Sequence, residues 1–267
     1  MVPDRVILVD GAPVTEADLT YLALVNYGAY TSFRVEGGGV RGLDLHLARL
    51  EASAIDLFGE SPGEARLRAL IRHAVDDRDD GWLRVSLFSP EIRPRDADWH
   101  GCPRVMTAVF PPPPPLGESL RVRPVTCGRE AAHLKHTAGF GLMRARRAAK
   151  AAGFDDALLT DADGLISEGT LWNVGFIRGE TLVWPQAPML AGVTQALITR
   201  GLGSVGLEAV SEPVRLTDLG RFDGAFLCNS ATPACAITAI GAATFAGADA
   251  MMVRVSQAWR SNPRQAI

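Results

Sequence analysis

The chain has 267 residues, of which 47% are hydrophobic and 21% charged, and its net charge is -3 with an isoelectric point near 6.0. This length and apolar fraction suffice for a large hydrophobic core, and the slightly acidic balance excludes the basic surface that nucleic-acid binding requires. The first residues lack the pattern of a signal peptide and no apolar window reaches membrane-spanning length, so the sequence predicts a cytoplasmic protein with no membrane partner.

Residues 1–110 predict a small α+β domain. Apolar stretches interrupted by Asp-Gly and by three glycines indicate strands joined by hairpins, and apolar residues at helical spacing indicate two helices. The predicted elements are a hairpin over 6–14, a second hairpin over 33–43, helices over 44–59 and 61–77, and a buried strand over 81–89. Ser61 is the expected N-cap of the second helix.

Five consecutive prolines occupy positions 111–115. Proline lacks a backbone donor and favours extended polyproline geometry, so residues 111–120 are predicted to be a stiff linker between domains. A proline-rich surface loop within one domain is the alternative.

Residues 121–267 predict a larger domain that is rich in strands. Its predicted elements are strands over 121–126, 156–161, 165–169, 174–185 and 223–230, and helices over 141–153 and 191–206. Cys228 and Cys235 lie in an apolar stretch and are expected to be buried. Among the four cysteines there is no CxxC pair, so neither a metal site nor a disulfide framework is predicted.

Only two of the 27 basic side chains are lysines, Lys135 and Lys150. Lys150 ends a basic helical face, where it interacts favourably with the helix dipole. Lys135 lies in LKHTAGF, next to small residues, so it is the candidate for chemistry that needs a neutral amine, which arginine does not supply. A solvated surface charge is the alternative.

Further candidates follow Lys135 along the chain. Glu168 is a single acid between two apolar strands, and a turn acid is its alternative. Residues 192–194, Gly-Val-Thr, begin an apolar helix, whose N-terminal N–H groups suit a phosphate, although Thr194 could simply cap that helix. Ser230 and Thr232 follow a strand, and Arg49 lies on the flank of the first long helix.

Taken in order, these segments resemble class IV aminotransferases, the fold-type IV pyridoxal phosphate enzymes. HxxRLxxSA precedes a lysine, GFDDALLTDADGLISEG follows it, and LAGVT comes before a helix. The family includes branched-chain and D-amino acid aminotransferases, amine transaminases and 4-amino-4-deoxychorismate lyases. The resemblance covers roughly residues 4–240 and implies a two-domain α+β fold, a pyridoxal 5′-phosphate cofactor and a homodimer.

The resemblance also implies residue roles. Lys135 corresponds to the lysine that holds the cofactor as an aldimine and then moves a proton between Cα and C4′. Glu168 corresponds to the acid that pairs with the pyridine nitrogen, and Asn173 to a structural asparagine. The implied phosphate ligands are Arg49, Val193, Thr194 and Ser230. The candidate substrate residues are Tyr30, Thr31, Arg84, Ala231 and Thr232, and a structural arginine is the alternative for Arg84.

Two departures from the family pattern bear on the substrate. VNYGAYTSF lacks the acid of the usual YGDGxFET, and Phe140 stands where branched-chain enzymes carry a tyrosine. Both disfavour a branched-chain enzyme. The expected function is transfer of an amino group from an amino acid or amine to a 2-oxo acid. The Lys135-His136 and Cys228-Asn229 pairs keep open an aminodeoxychorismate lyase that releases pyruvate to form 4-aminobenzoate, and a PLP-binding homologue without activity is the remote alternative.

Overall fold

The computed structural model describes residues 5–245 and 249–267, and packing groups the chain into two compact units. Unit 1 comprises Met1–Pro113, Leu134–Ala138 and Arg264–Ile267, and unit 2 comprises Pro114–His133 and Gly139–Pro263. One boundary therefore falls inside the proline run. The division into domains over 1–110, 111–120 and 121–267 stays a prediction.

Unit 1 is built on an antiparallel sheet of seven strands. The strands are β1 (Val6–Val9), β2 (Ala12–Pro13), β3 (Ala29–Glu36), β4 (Gly39–Arg41), β5 (Asp80–Phe88), β6 (Arg104–Phe110) and β16 (Arg264–Ala266), and the helices are α1 (Glu16–Leu24), α2 (Leu43–Phe58) and α3 (Glu64–Val75). The order of the strands across the sheet is β16-β4-β3-β5-β6-β1-β2. Both predicted hairpins and both predicted helices are confirmed.

The core of unit 1 follows from the alternation of side chains along its strands and from the helical spacing of apolar residues in its helices. In β3, alternate residues Thr31, Phe33 and Val35 are buried, as expected for a strand with one face on the core. In α2, Leu43, Leu47 and the rest of the apolar stripe recur at helical spacing and pack into the same hydrophobic cluster. The strand and the helix thus bury facing stripes.

Helix α3 begins later than the sequence predicts. Its N-cap is Gly63, so the assignment of Ser61 as N-cap is wrong. The Ser61 hydroxyl instead accepts the Gly63 N–H at 3.1 Å, which closes a turn ahead of the helix. Gly63 has a φ of +80°, a conformation that serine rarely adopts.

Unit 2 contains a mixed sheet of nine strands. The strands are β7 (Ser119–Thr126), β8 (Asp156–Thr160), β9 (Ile166–Gly169), β10 (Asn173–Arg178), β11 (Thr181–Pro185), β12 (Glu208–Glu212), β13 (Gly224–Cys228), β14 (Cys235–Ile240) and β15 (Ala243–Thr244), and the helices are α4 (Phe140–Ala151), α5 (Val193–Gly201) and α6 (Asp249–Arg260). Eight of the strands lie in the order β12-β11-β10-β13-β14-β7-β8-β9, and β15 pairs with β14. Short 3-10 helices cover Leu202–Val205 and Leu216–Arg221.

The predicted strands and helices of unit 2 are present, and with unit 1 they confirm the mixed α+β class. Cys228 and Cys235 are buried as expected, and burial raises the pKa of the Cys235 thiol to about 11. Lys150 lies in the last turn of α4, also as expected. Within residues 5–245 and 249–267, no helix has both the length and the apolar character that crossing a membrane requires.

Candidate functional site

Lys135 lies on a short segment that runs along the start of β3. The Tyr30 N–H donates to the Lys135 carbonyl at 2.8 Å, and the Thr137 N–H donates to the Gly28 carbonyl at 2.9 Å. His136 bridges Ala29 in antiparallel fashion between these two bonds. The segment is therefore fixed by main-chain hydrogen bonds, which place a half-buried lysine next to Tyr30.

The Tyr30 ring lies beside two cations. Lys135 Nζ is 5.0 Å from the ring centroid, and the Arg84 guanidinium carbon is 3.7 Å from it. In the β3–β5 ladder Tyr30 pairs with Ser86 and Ser32 with Arg84, so Tyr30 and Arg84 are diagonal neighbours on one face of the sheet. Three of the residues singled out by sequence are thus brought together.

Arg84 is a desolvated cation. Its Nε donates to Ser86 Oγ at 3.2 Å, and burial lowers the pKa of the guanidinium, against a smaller opposing effect of Tyr30. Within the described part of the chain, Arg84 makes no ion pair. Because arginine stays protonated in proteins, this position favours an anion, and a planar carboxylate matches its fork of donors.

Thr31 and Arg49 meet on the opposite face of β3. Arg49 donates from a terminal nitrogen to Thr31 Oγ1 at 2.6 Å, and the same hydroxyl lies 2.6 Å from His46 Nδ1. Thr31 and His46 are both fully buried. Thr31, a candidate substrate residue, is therefore engaged with Arg49, a candidate phosphate ligand.

Glu168 lies near the end of β9 in unit 2 and is 4% exposed. Its Oε1 accepts the Leu190 N–H at 3.4 Å and lies 3.5 Å from a terminal nitrogen of Arg129, whose side chain is also buried. Glu168 thus has a basic neighbour that the sequence reasoning did not find. Nothing in the local pattern around Arg129 distinguishes it from a surface arginine.

The N-terminus of α5 is held close to Glu168 by Asn173. The Asn173 amide donates to the Leu190 carbonyl at 2.8 Å, which fits its predicted structural role. Gly192 is the N-cap, and a Cβ at this position would come within 1.9 Å of Asn173 Oδ1. Because Gly192 caps α5, Thr194 is not the cap, and this alternative is wrong; Val193 and Thr194 begin the helix and are buried.

Ser230 and its neighbours form a tight turn after β13. Asn229 Oδ1 accepts the N–H groups of Ala231 and Thr232, at 2.9 and 2.7 Å. The Thr232 hydroxyl is buried and accepts the Leu116 N–H at 3.0 Å. The backbone N–H groups of Ala231 and Thr232, both candidate substrate residues, are therefore already hydrogen-bonded to the Asn229 side chain.

Asp156 is a buried carboxylate at the start of β8 that sequence reasoning did not single out. It accepts from the Thr170 hydroxyl at 2.7 Å and from the Trp172 indole at 3.0 Å, and Arg146 lies 3.6 Å away. It thus ties β8 to the turn directly after Glu168.

The residues present match the chemistry of pyridoxal phosphate. Unit 1 contains an amine, Lys135, of the kind that binds an aldehyde, and a guanidinium, Arg49, of the kind that binds a phosphate. Unit 2 contains the buried Glu168 carboxylate, of the kind that pairs with a pyridine nitrogen, and a helix of nine residues whose first N–H groups suit a phosphate. This set defines a pyridoxal phosphate enzyme.

Comparison with known proteins identifies the family. The model of amino-transferase class IV matches residues 28–240, and the chain belongs to this family of pyridoxal phosphate-dependent enzymes. This finding confirms the resemblance and the cofactor expected from the sequence.

Curated relatives differ in name and in coverage. A probable branched-chain-amino-acid aminotransferase of Rickettsia felis is 38% identical over 87 residues, which span 32% of this chain and 30% of the relative. A putative branched-chain-amino-acid aminotransferase of Methanocaldococcus jannaschii is 28% identical over 76% of this chain and 75% of its own. A D-alanine aminotransferase of Bacillus licheniformis is 25% identical over 81% of this chain and 80% of the relative.

Solved structures share the fold. The branched-chain aminotransferase of Thermoproteus uzoniensis with norvaline superposes with a TM-score of 0.80 at 21% identity, covering 96% of this chain and 94% of that one. A hypothetical aminotransferase of Mycobacterium tuberculosis in its PLP-bound form superposes with a TM-score of 0.77 at 21% identity, covering 97% of this chain and 100% of that one. The predicted fold-type IV architecture is confirmed.

Proposed function

We propose that the protein is an aminotransferase that moves the amino group of an amino acid to a 2-oxo acid. The observation that carries this proposal is the placement of Lys135 beside Tyr30 and Arg84 in a chain of this family. The bound cofactor supplies an electron sink for the bonds at the substrate Cα. The Lys135 amine holds the cofactor covalently and takes the proton from Cα of the amino donor.

The other site residues keep the roles that the family resemblance gives them. Glu168 keeps the pyridine nitrogen protonated, which its burial and its Leu190 N–H contact support. Arg49, the first N–H groups of α5 at Val193 and Thr194, and Ser230 bind the phosphate. These assignments account for a buried acid and for a helix whose N-cap is a glycine.

The proposed donor carries a carboxylate. Arg84 is a desolvated guanidinium stacked on the same ring as Lys135, so an anion that it binds lies near the reacting amine. We assign the carboxylate of the amino donor and of the 2-oxo acid to Arg84, with Tyr30 as its stacking partner. Amines without a carboxylate are then poor donors.

The lyase remains the second candidate because LKH and the Cys228-Asn229 pair match that branch. In the structure Asn229 organises the turn that holds Ser230, so the feature favouring the lyase lies at a proposed ligand. A lyase substrate also carries carboxylates, so Arg84 serves either reaction.

A half-reaction separates these functions. An amino acid donor without a 2-oxo acid should convert the cofactor spectrum of an aminotransferase to that of pyridoxamine phosphate, with one equivalent of oxo acid released. A lyase given aminodeoxychorismate should release pyruvate and keep its original spectrum. Failure of a panel of D- and L-amino acids and amines to change the spectrum would contradict the aminotransferase.

We also propose that the enzyme is a homodimer, as the resemblance implies, and that it is cytoplasmic, as its N-terminal sequence and hydropathy predict. Light scattering coupled to size-exclusion chromatography should give twice the chain mass of 28.5 kDa. A monomer with full activity would contradict this part of the proposal.

A further inference from the structure

His46 is a buried polar residue to which the proposed reaction gives no role. It lies on α2 and is 1% exposed, and its ring packs against Phe33 with 4.9 Å between ring centroids. A polar side chain in such a position requires a hydrogen-bond partner. Its Nδ1 finds one in the Thr31 hydroxyl, at 2.6 Å.

The hydrogen bonds of His46, Thr31 and Arg49 form a directed chain. A guanidinium only donates, so Thr31 Oγ1 accepts from Arg49. The single hydroxyl proton is then available for Nδ1 of a neutral imidazole, which accepts it when the ring carries its own proton on Nε2. Burial, together with the positive charges of Arg49 and Lys135, lowers the pKa of His46 well below its ordinary value, which agrees with a neutral ring.

The backbone fixes each member of this chain. His46 and Arg49 are three residues apart in α2, so their side chains project from neighbouring positions on the helix. Thr31 is β-branched and lies on the inward face of β3, where its rotamer is restricted. Two rigid elements thus determine where the Arg49 guanidinium is held.

We propose that Thr31 and His46 are positioning residues that hold the Arg49 guanidinium ready for the cofactor's phosphate. The inference rests on the proposed function, because it takes Arg49 as a phosphate ligand. Arginine has a large rotamer entropy, and a partner that restrains it before binding reduces the cost of ordering it. A hydroxyl and a neutral imidazole provide this restraint without a negative charge of their own, so they do not compete with the phosphate for Arg49.

The test compares two forms of the cofactor that differ only in the phosphate. Dissociation constants for pyridoxal phosphate and for pyridoxal are measured by absorbance titration of the full chain after cofactor removal. Thr31→Val keeps the side-chain shape and removes the hydroxyl, and Thr31→Ser keeps the hydroxyl and is the matched control. We expect Thr31→Val to weaken pyridoxal phosphate binding about 10-fold, the size of one hydrogen bond to a charged group, while pyridoxal binding stays unchanged.

A second pair of variants, at His46, tests the same chain of hydrogen bonds from its other end. His46→Asn places an amide oxygen near the position of Nδ1 and should keep wild-type binding, whereas His46→Leu should reproduce the loss seen with Thr31→Val. The double variant of Thr31→Val and His46→Leu should lose no more affinity for pyridoxal phosphate than either single variant, because both substitutions interrupt the same chain of hydrogen bonds. This pair keeps the proposal testable if a change at position 31 prevents folding.

The outcomes separate the inference from the proposed function. Equal weakening of pyridoxal and pyridoxal phosphate would mean that Thr31 and His46 serve packing alone and would overturn the inference, as would unchanged binding of both. If the wild-type chain binds pyridoxal phosphate no better than pyridoxal, the phosphate role of Arg49 fails and the inference fails with it. If borohydride labels Lys135 in the wild-type protein and either of the first two results is also found, the inference about Thr31 and His46 fails while the proposed function stands.

Discussion

The two units surround several of their charged side chains in different ways. In unit 1 the cations Lys135, Arg84 and Arg49 contact a ring or a hydroxyl. In unit 2 the carboxylates Glu168 and Asp156 are fixed by N–H or O–H donors and lie close to arginines. Unit 1 also holds a buried carboxylate, Asp18, which pairs with Arg104. The contrast therefore concerns the cations around Tyr30 and Thr31, which we propose bind anionic ligands.

Among the substitutions in unit 1, Lys135→Arg should have the largest effect on activity. The charge remains, but a guanidinium stays protonated and supplies no neutral amine for covalent attachment or proton transfer. We expect transamination to fall by about 10³-fold or more, measured as kcat with saturating donor. Lys150→Arg, at an exposed position of α4, is the matched control and should keep wild-type activity. Comparable losses in both variants would contradict the assignment.

Asp156→Ala tests the other half of the comparison. Removing this carboxylate leaves the Thr170 hydroxyl, the Trp172 indole and Arg146 without their shared acceptor. We expect a loss of about 3 kcal/mol in the free energy of unfolding, measured in urea. Asp163→Asn, on the exposed turn before β9, should change stability by less than about 0.5 kcal/mol. A value for Asp156→Ala as small as that control would show that the carboxylate does not hold the fold.

Arg84→Met sharpens the role of unit 1 in specificity. Methionine keeps an unbranched side chain and removes the charge, so a carboxylate loses a charge-assisted contact of roughly 1.5 to 3 kcal/mol. We expect kcat/KM for amino acid donors to fall about 10- to 100-fold, mostly through KM, with little change for amines that lack a carboxylate. An equal loss for both donor classes would favour the alternative of a structural arginine.

The pH dependence of stability reports the neutral state of His46. Its pKa is lowered in the folded protein, so below the ordinary value of 6.5 the unfolded chain binds a proton that the folded chain does not. Stability from this group is therefore complete above pH 6.5 and decreases as pH falls, by up to about 1.4 kcal/mol per pH unit. Wild-type protein should lose more stability between pH 7 and 5 than His46→Asn does, and parallel curves would contradict a neutral, buried His46.

Local pattern predicted much of the fold. Alternation and helical spacing located both hairpins of unit 1, α2, α3 and most strands of unit 2. It missed α1, α6 and the strands β6, β12, β14, β15 and β16. Helix α1 has little amphipathic pattern, and much of its surface is exposed. Strand β12 is largely exposed as well, so neither element shows the contrast between a buried and an exposed face that makes periodicity visible in a sequence.

The sequence proposed only part of the candidate site. Lys135, Glu168 and the start of α5 were proposed because they lie in recognisable segments, and their roles stay predictions. Arg129 was missed because it lies 39 residues from Glu168 in sequence, and no local period links them. The chain of Thr31, His46 and Arg49 left a clearer signal, since His46 and Arg49 are three apart on a helix and Thr31 shares the inward face of a strand with Phe33.

Covalent labelling of the lysine tests the central claim most directly. The wild-type holoenzyme is reduced with borohydride, digested and mapped by mass spectrometry. The account predicts one pyridoxyl group per chain, on the peptide that carries Lys135. A label on Lys150 instead, or no label on either lysine, would contradict it.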